Sequence, residues 1–319
     1  MMERLKRKLL YSRRNRRLIG WSRRVILPGF EGFSLFEISR FFFRALFVGH
    51  ITTRASAIAF KVFLAFFPAV LVLLTMIPYI PIHDLQHKLL NTFHDMLPVA
   101  VYQFIEATLH DLLIRKHGAL LSLSFLIGVY MASNSIDAIL AGFSGSANHT
   151  TWHSPLKQRL LSLGLLVVLT ILTLIAIPLL TFSGSLIYKL DSLGFFTSYF
   201  QVAALFAAKW AVSILVVVMF VSLLYNAGDP TSRRFRLFTP GALLAVVLIL
   251  LVSQALAFMF SYITDYNALY GSLGAILAVQ LWLYFNMIVL LVGYELNTSI
   301  TRARVLRRDS LQIRKEVGK

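Results

Sequence analysis

Six stretches of this chain are apolar for the length that a helix needs to cross a bilayer. A hydrocarbon core of roughly 30 Å takes about 20 mostly apolar residues at about 1.5 Å of rise each. Residues 57–80, 119–141, 160–187, 202–226, 238–263 and 272–296 meet that condition. They predict an all-α polytopic membrane protein with six transmembrane helices. Pro68 and Pro178 fall inside two of the stretches. In a bundle, neighbouring helices can re-satisfy the carbonyls that a proline frees, so both predict kinks and not span ends. Composition agrees, because 58% of the 319 residues are hydrophobic and only 14% are charged, against about 25% charged in soluble domains.

The basic residues orient the spans. Outside them, Lys and Arg number 25 if both termini and the second and fourth loops are cytoplasmic, against 4 on the other side. The positive-inside rule therefore places both termini in the cytoplasm. Residues 1–33 then read as a basic cytoplasmic arm, 34–300 as the membrane domain, 81–118 as its long outer loop and 301–319 as a basic tail. The arm contains "RKLLYSRRNRRLIGWSRR" (7–24) but no base-reading module accompanies it. Its charge predicts attraction to anionic lipid at the cytoplasmic leaflet, about 1 kcal/mol per nearby basic residue, and no specific nucleic acid. Residues 1–56 hold no compact apolar stretch followed by a small-residue cleavage site, so no cleavable leader is expected. There is no cysteine, hence no disulfide, thiolate metal site or cysteine nucleophile.

Two elements outside the spans have helical patterning. In "SLFEISRFFFRALFVGH" (34–50), Glu37, Arg40 and Arg44 share a face while Phe36, Phe43 and Phe47 lie elsewhere. That pattern predicts an interfacial helix just before the first span. In the outer loop, Leu85, Leu89, Phe93 and Met96 fall on one helical side. His83, His87 and His94 lie close together in angle on the same helix. A histidine pair at i, i+4 can hold zinc, but these three supply no fourth ligand, and the wet side of an amphipathic helix explains them equally. The "NHT" at Asn148 matches a glycosylation acceptor in a loop expected to be cytoplasmic, where it has no meaning.

Ionisable residues at membrane depth cost about 2.5–3.5 kcal/mol each on insertion scales, which makes them functional candidates. Lys61, Asp137, Lys209 and Glu295 are such residues. Lys61 and Asp137 fall at similar depths, with Glu295 somewhat nearer the cytoplasm, so a Lys61–Asp137 pair with Glu295 nearby is possible. Arg54, Ala57, Lys61, Ala65 and Pro68 share one side of the first span. Tyr130, Asn134, Asp137 and Ala141 align in the second, and Gln280, Tyr284 and Glu295 in the sixth. Small and polar residues on one face suit helix contact or a cavity lining. Arg54, Lys61, Asn134, Asp137, Lys209 and Glu295 are thus candidates for a polar cavity or for structural ion pairs. Lys61 and Glu295 can also carry their charge to the headgroups.

The run "YGSLGAILAVQLWLYFNMIVLLVGYELN" (270–297) is similar to the closing signature of the YihY/BrkB family of bacterial inner-membrane proteins. "ASAIAFKVFLAFFPAVLVLL" (55–74) resembles that family's first span, and "LLYNAGDPTSRRFRLFTPGALLAVV" (223–247) its fourth-to-fifth connection. "YMASNSIDAIL" (130–140) fits the second span more loosely. The similarity covers about residues 34–300. A basic residue near Lys209 and the tyrosine at Tyr225 look typical of the family, whereas "NAGDP" departs from its usual pattern. The resemblance implies a six-helix inner-membrane protein with no catalytic residues to carry over. The family was once labelled ribonuclease BN, a label regarded as misassigned, and is linked to serum resistance and to export or flipping of envelope lipids.

Three functions follow as expectations. A nuclease needs clustered carboxylates or a positioned acid–base pair, yet the loop 142–159 has no acid and the loop 227–237 only Asp229. A transporter or flippase-like protein for a lipid or amphipathic anion matches the buried cations and polar stripes, although no internal repeat is evident. A non-transporting envelope scaffold would use outer-loop surfaces such as 83–111, with a second copy of the chain or an envelope protein as partner. No enzyme activity and no cofactor are expected.

Overall fold

The structure, a computed structural model, describes residues 20, 22–26, 29–96, 99–146, 152–192, 199–230, 235–262 and 272–317. Most of the basic arm and the Asn148 sequon lie outside the described residues. Among the described residues there are nine α-helices and no strand. They are α1 (Leu35–Val48), α2 (Ile51–Met76, followed by a 3-10 turn at Ile77–Tyr79), α3 (Leu85–Met96), α4 (Val99–Ile114), α5 (Gly118–Ser144), α6 (Pro155–Ser192), α7 (Tyr199–Gly228), α8 (Pro240–Tyr262) and α9 (Ser272–Val317).

Six of these, α2 and α5–α9, are long and apolar enough to cross a membrane, and each contains one of the six predicted spans or nearly so. The ends differ for physical reasons. Thr52, Thr53 and Arg54 are polar, yet they extend α2 back to Ile51 because the arginine finds a buried partner. α9 continues as helix to Val317, so residues 301–317 prolong the helix that carries the sixth span. α2 runs through Pro68 and α6 through Pro178, so neither proline ends its span.

α1 starts with a capping box. The Ser34 hydroxyl accepts from the Glu37 N–H at 3.3 Å, and the Glu37 carboxylate accepts from the Ser34 N–H at 3.0 Å. Each side chain satisfies a donor that the first turn leaves free. Ile38 and Ala45 are buried, while Phe43 and Phe47 stand out from the opposite side, as an interfacial helix requires. His50, in the left-handed region at φ 46°, stands between α1 and α2.

The chain divides into two compact units. The first comprises the described residues of Met1–Ala55, Leu140–Val252 and Ile288–Lys319. Here α6 packs along α7. Leu165, Leu169, Leu172 and Ala176 form the buried face of α6, leaving Val167, Ile171, Leu174 and Ile175 exposed. An apolar exposed face of that length is the surface lipid would cover. Also in this unit, Phe30, Phe33, Ile38, Ile300 and Ala303 form a buried cluster, so the part of the arm just before α1 is packed on α9.

The second unit comprises the described residues of Ser56–Ile139 and Ser253–Met287. α3 and α4 pack on each other and on the end of α2 through Leu90, Leu109 and Leu113, joined by Leu74, Ile77, Leu89 and Phe93. The loop read as 81–118 is thus helical, with Leu89 and Phe93 on the packed side as their spacing predicts.

Candidate functional site

The first unit builds its polar site where α7 stops and α8 starts. Helix contact there depends on small residues. A Cβ on Gly293 of α9 would lie 2.5 Å from both the Gly241 carbonyl of α8 and the Tyr225 hydroxyl of α7. Glycine at both helix positions permits this approach. The α8 N-terminus is satisfied locally: Thr239 Oγ1 accepts from the Ala242 N–H at 3.2 Å, and Asn297 Oδ1 accepts from the Gly241 N–H at 2.8 Å. Proline at the first helical position, Pro240, has no N–H to satisfy.

Beneath this junction lies an aromatic floor. Phe143 stacks on Tyr294 with ring centroids 4.0 Å apart, and Tyr225 meets both rings edge-on. Tyr225 donates to the Leu290 carbonyl at 2.6 Å, and the Tyr294 hydroxyl donates to the Gly228 carbonyl. Buried hydroxyls with partners hold rings in one orientation at little cost.

Above the floor is a polar cavity of about 270 Å³, whose lining includes Glu31, Tyr225, Asn226, Asp229, Arg236, Tyr294, Thr298 and Arg304. Asn226 positions Arg236: its Oδ1 accepts from the Arg236 N–H at 2.9 Å, and its Nδ2 donates to the Arg236 carbonyl at 2.9 Å. The Arg236 guanidinium donates to Glu31 Oε1 at 2.8 Å. Arg304, on α9, donates to both Glu31 oxygens through Nε and Nη2. Burial pushes the Glu31 carboxyl up, but the hydrogen bonds and charges of Arg304 and Arg236 outweigh it and hold the group below the ordinary carboxylate range.

A buried ion pair adjoins the cavity wall. Arg54 donates to Glu295 at 2.8 Å, and Glu295 is wholly buried. Glu295 also accepts from Ser146 Oγ at 2.6 Å and from Thr298 Oγ1 at 3.4 Å; Thr298 is itself part of the cavity lining. The other Arg54 terminal nitrogen donates to the Gly142 carbonyl at 2.6 Å. Two of the six sequence candidates, Arg54 and Glu295, are therefore directly bonded.

The remaining candidates stand elsewhere. Lys61, Asn134 and Asp137 are half-buried in the second unit, where Ser135 Oγ donates to the Lys61 carbonyl at 2.9 Å. Lys209 is half-buried on α7, its carbonyl accepting from Ser213 at 2.7 Å, and it does not line the cavity. His83, His87 and His94 are exposed. His83 lies 3.6 Å from Asp84 and His94 3.2 Å from Asp95. Among the described residues no three histidines or carboxylates converge as a metal site.

Sequence reasoning did not single out Glu31, Arg236 or Arg304. A signal for Glu31 exists: in "PGFEGF" it is the sole acid between Glu3 and Glu37, set between glycines in an arginine-rich arm.

These features define a polytopic helical membrane protein with a polar, cation-lined cavity at a helix junction. The chain belongs to the family described as Virulence factor BrkB, which matches residues 42–317. YfkH of Bacillus subtilis (strain 168), a protein named ribonuclease-like, is 27% identical over 256 residues, covering 80% of this chain and 91% of that protein. A UPF0761 membrane protein of Idiomarina loihiensis is 29% identical over 91 residues, 28% of this chain and 32% of its own. One from Xanthomonas campestris pv. campestris (strain B100) is 32% identical over 97 residues, 30% of this chain and 22% of its own. The chain thus aligns with about a third or less of these two UPF0761 proteins. No solved structure matches it.

Proposed function

We propose that this protein is a transporter or flippase-like protein of the bacterial inner membrane, with both termini cytoplasmic, that moves a lipid or amphipathic anion in envelope maintenance. The observation that carries the reading is the convergence of Arg236 and Arg304 at one polar cavity. Guanidinium groups held together in a half-enclosed site favour anions bearing paired oxygens. The exposed Phe43 and Phe47 of α1, beside Arg40 and Arg44, support contact of that helix with an anionic leaflet.

A nuclease, the activity named for YfkH, would need a carboxylate free to bind metal or take a proton. Of the cavity's two carboxylates, Glu31 and Asp229, the first is engaged by two arginines. That engagement weighs against a nuclease, and our reading is of a transporter and not of an enzyme.

Reconstitution tests this reading. The full chain in liposomes should make a fluorescent acidic phospholipid on the inner leaflet accessible to an external quencher. Vesicles holding inserted, folded protein that behave like empty ones would contradict transport and favour a scaffold acting through surfaces such as 83–111.

A further inference from the structure

We infer that Arg236 and Arg304 form a binding site for a phosphodiester of net charge −1, and that Glu31 occupies this site as a tethered stand-in for the ligand. The inference rests on reading the cavity as an anion site and not on transport as such.

The geometry is that of an anion receptor already filled. Arg304 presents the fork of Nε and Nη2 to the two oxygens of one carboxylate, and Arg236 adds a further donor to Oε1. A phosphodiester offers the same pair of charged oxygens to the same donors. Charge selects the class. Two guanidinium groups face Glu31, and Asp229 also lines the cavity, so the site is balanced as it stands. Exchange of Glu31 for a monoanion preserves that balance, whereas a dianionic phosphomonoester leaves an excess negative charge in a partly buried place.

The stand-in is built to be displaced without unfolding. Gly29, Glu31 and Gly32 all have positive φ, at 84°, 53° and 82°. For a residue with a side chain that conformation is disfavoured, so the turn is held by its surroundings. Phe30 and Phe33, both buried with Ile300 and Ala303, provide the hold. Glu31 can therefore swing its side chain out while the flanking rings stay docked. Behind it lies a volume of about 270 Å³, room for a polar head. Because the carboxylate is tethered, it competes at high effective concentration and lowers the apparent affinity for any free anion.

The experiment is titration of the detergent-purified full chain with dihexanoyl phosphatidylglycerol, against dihexanoyl phosphatidylcholine and soluble glycerophosphoglycerol. Glu31→Gln should bind the phosphatidylglycerol at least about tenfold more tightly than the unmodified chain, and adding Arg304→Gln should abolish the gain. Equal affinity with and without Glu31, or equal binding of phosphatidylcholine, overturns the inference. Glycerophosphoglycerol binding as tightly as the lipid would assign the ligand to a soluble phosphodiester; binding of the lipid alone assigns it to a headgroup on acyl chains. If Glu31→Gln does not fold, Glu31→Asp, which keeps the charge and shortens its reach, should give an intermediate gain, and no gain overturns the inference. Flux in vesicles together with binding that ignores Glu31 would sink this proposal and leave transport standing, whereas gated binding without flux would do the reverse.

Discussion

Arg54 and Glu295, 241 positions apart in the chain, are joined by a hydrogen-bonded ion pair of 2.8 Å. Glu295 is fully buried and Arg54 nearly so, and Ser146 and Gly142 take up further hydrogen bonds. Removing one partner leaves the other charge buried and unpaired. Arg54→Ala or Glu295→Ala should each destabilise the protein by about 3–5 kcal/mol, read as lower melting temperature and lower abundance in membranes. The double variant Arg54→Met with Glu295→Met should recover most of that loss, because two apolar side chains leave no charge behind. A double variant no better than either single one would show that these charges do more than pair.

Glycine substitutions separate close approach from helix propensity. Gly293→Ala sets a Cβ 2.5 Å from the Tyr225 hydroxyl and should cost about 1–3 kcal/mol by overpacking. Gly164→Ala on α6 meets nothing within 4 Å and should be neutral or stabilising by up to about 1 kcal/mol. Thermal melting in detergent reads both, and equal shifts would contradict the packing described for α7, α8 and α9.

Docking of the arm should depend on pH through Glu31. Arg304 and Arg236 hold its carboxyl below the ordinary range, so the contact contributes fully at and above the ordinary carboxylate pKa. It is lost only as pH falls through the lowered value and the carboxylate gains a proton. Hydrogen exchange in residues 29–36 should be slow from neutral pH down to the carboxylate range and faster below it, after correction for intrinsic rates. Glu31→Gln should remove the transition; a transition that persists would belong to another group.

The spans were legible because the bilayer demands about 20 apolar residues whatever the fold around them. Where the reading of residues stopped short, tertiary partners decided. Arg54 falls outside the predicted first span, 57–80, yet it lies in α2 because Glu295 receives it. The cavity was not legible. Glu31 is 205 residues from Arg236 and 273 from Arg304, and no local pattern pairs a carboxylate in a glycine turn with arginines that count, in sequence, as loop and tail charge. The histidines show the converse: His87 and His94 are close in angle on α3, with His83 just before it, and among the described residues no neighbouring element brings a further ligand to them.

Lys61 and Asp137 are the charged residues of the second unit's polar stripes. Under the transport reading, Lys61→Ala and Asp137→Ala should leave the folded protein abundant and abolish flux, and the exchange of Lys61→Asp with Asp137→Lys should not restore it. Recovery of both abundance and flux in the exchanged variant would make the two residues a structural pair.

Vesicle assays of phosphatidylglycerol movement, comparing the unmodified chain with Arg236→Gln/Arg304→Gln at matched insertion, test the central claim most directly. The unmodified chain should bring inner-leaflet label to the quencher and the double variant should not. Movement that is equal in the two proteins would contradict the assignment of transport to the arginine-lined cavity, and movement absent from both while each is folded and inserted would contradict transport itself.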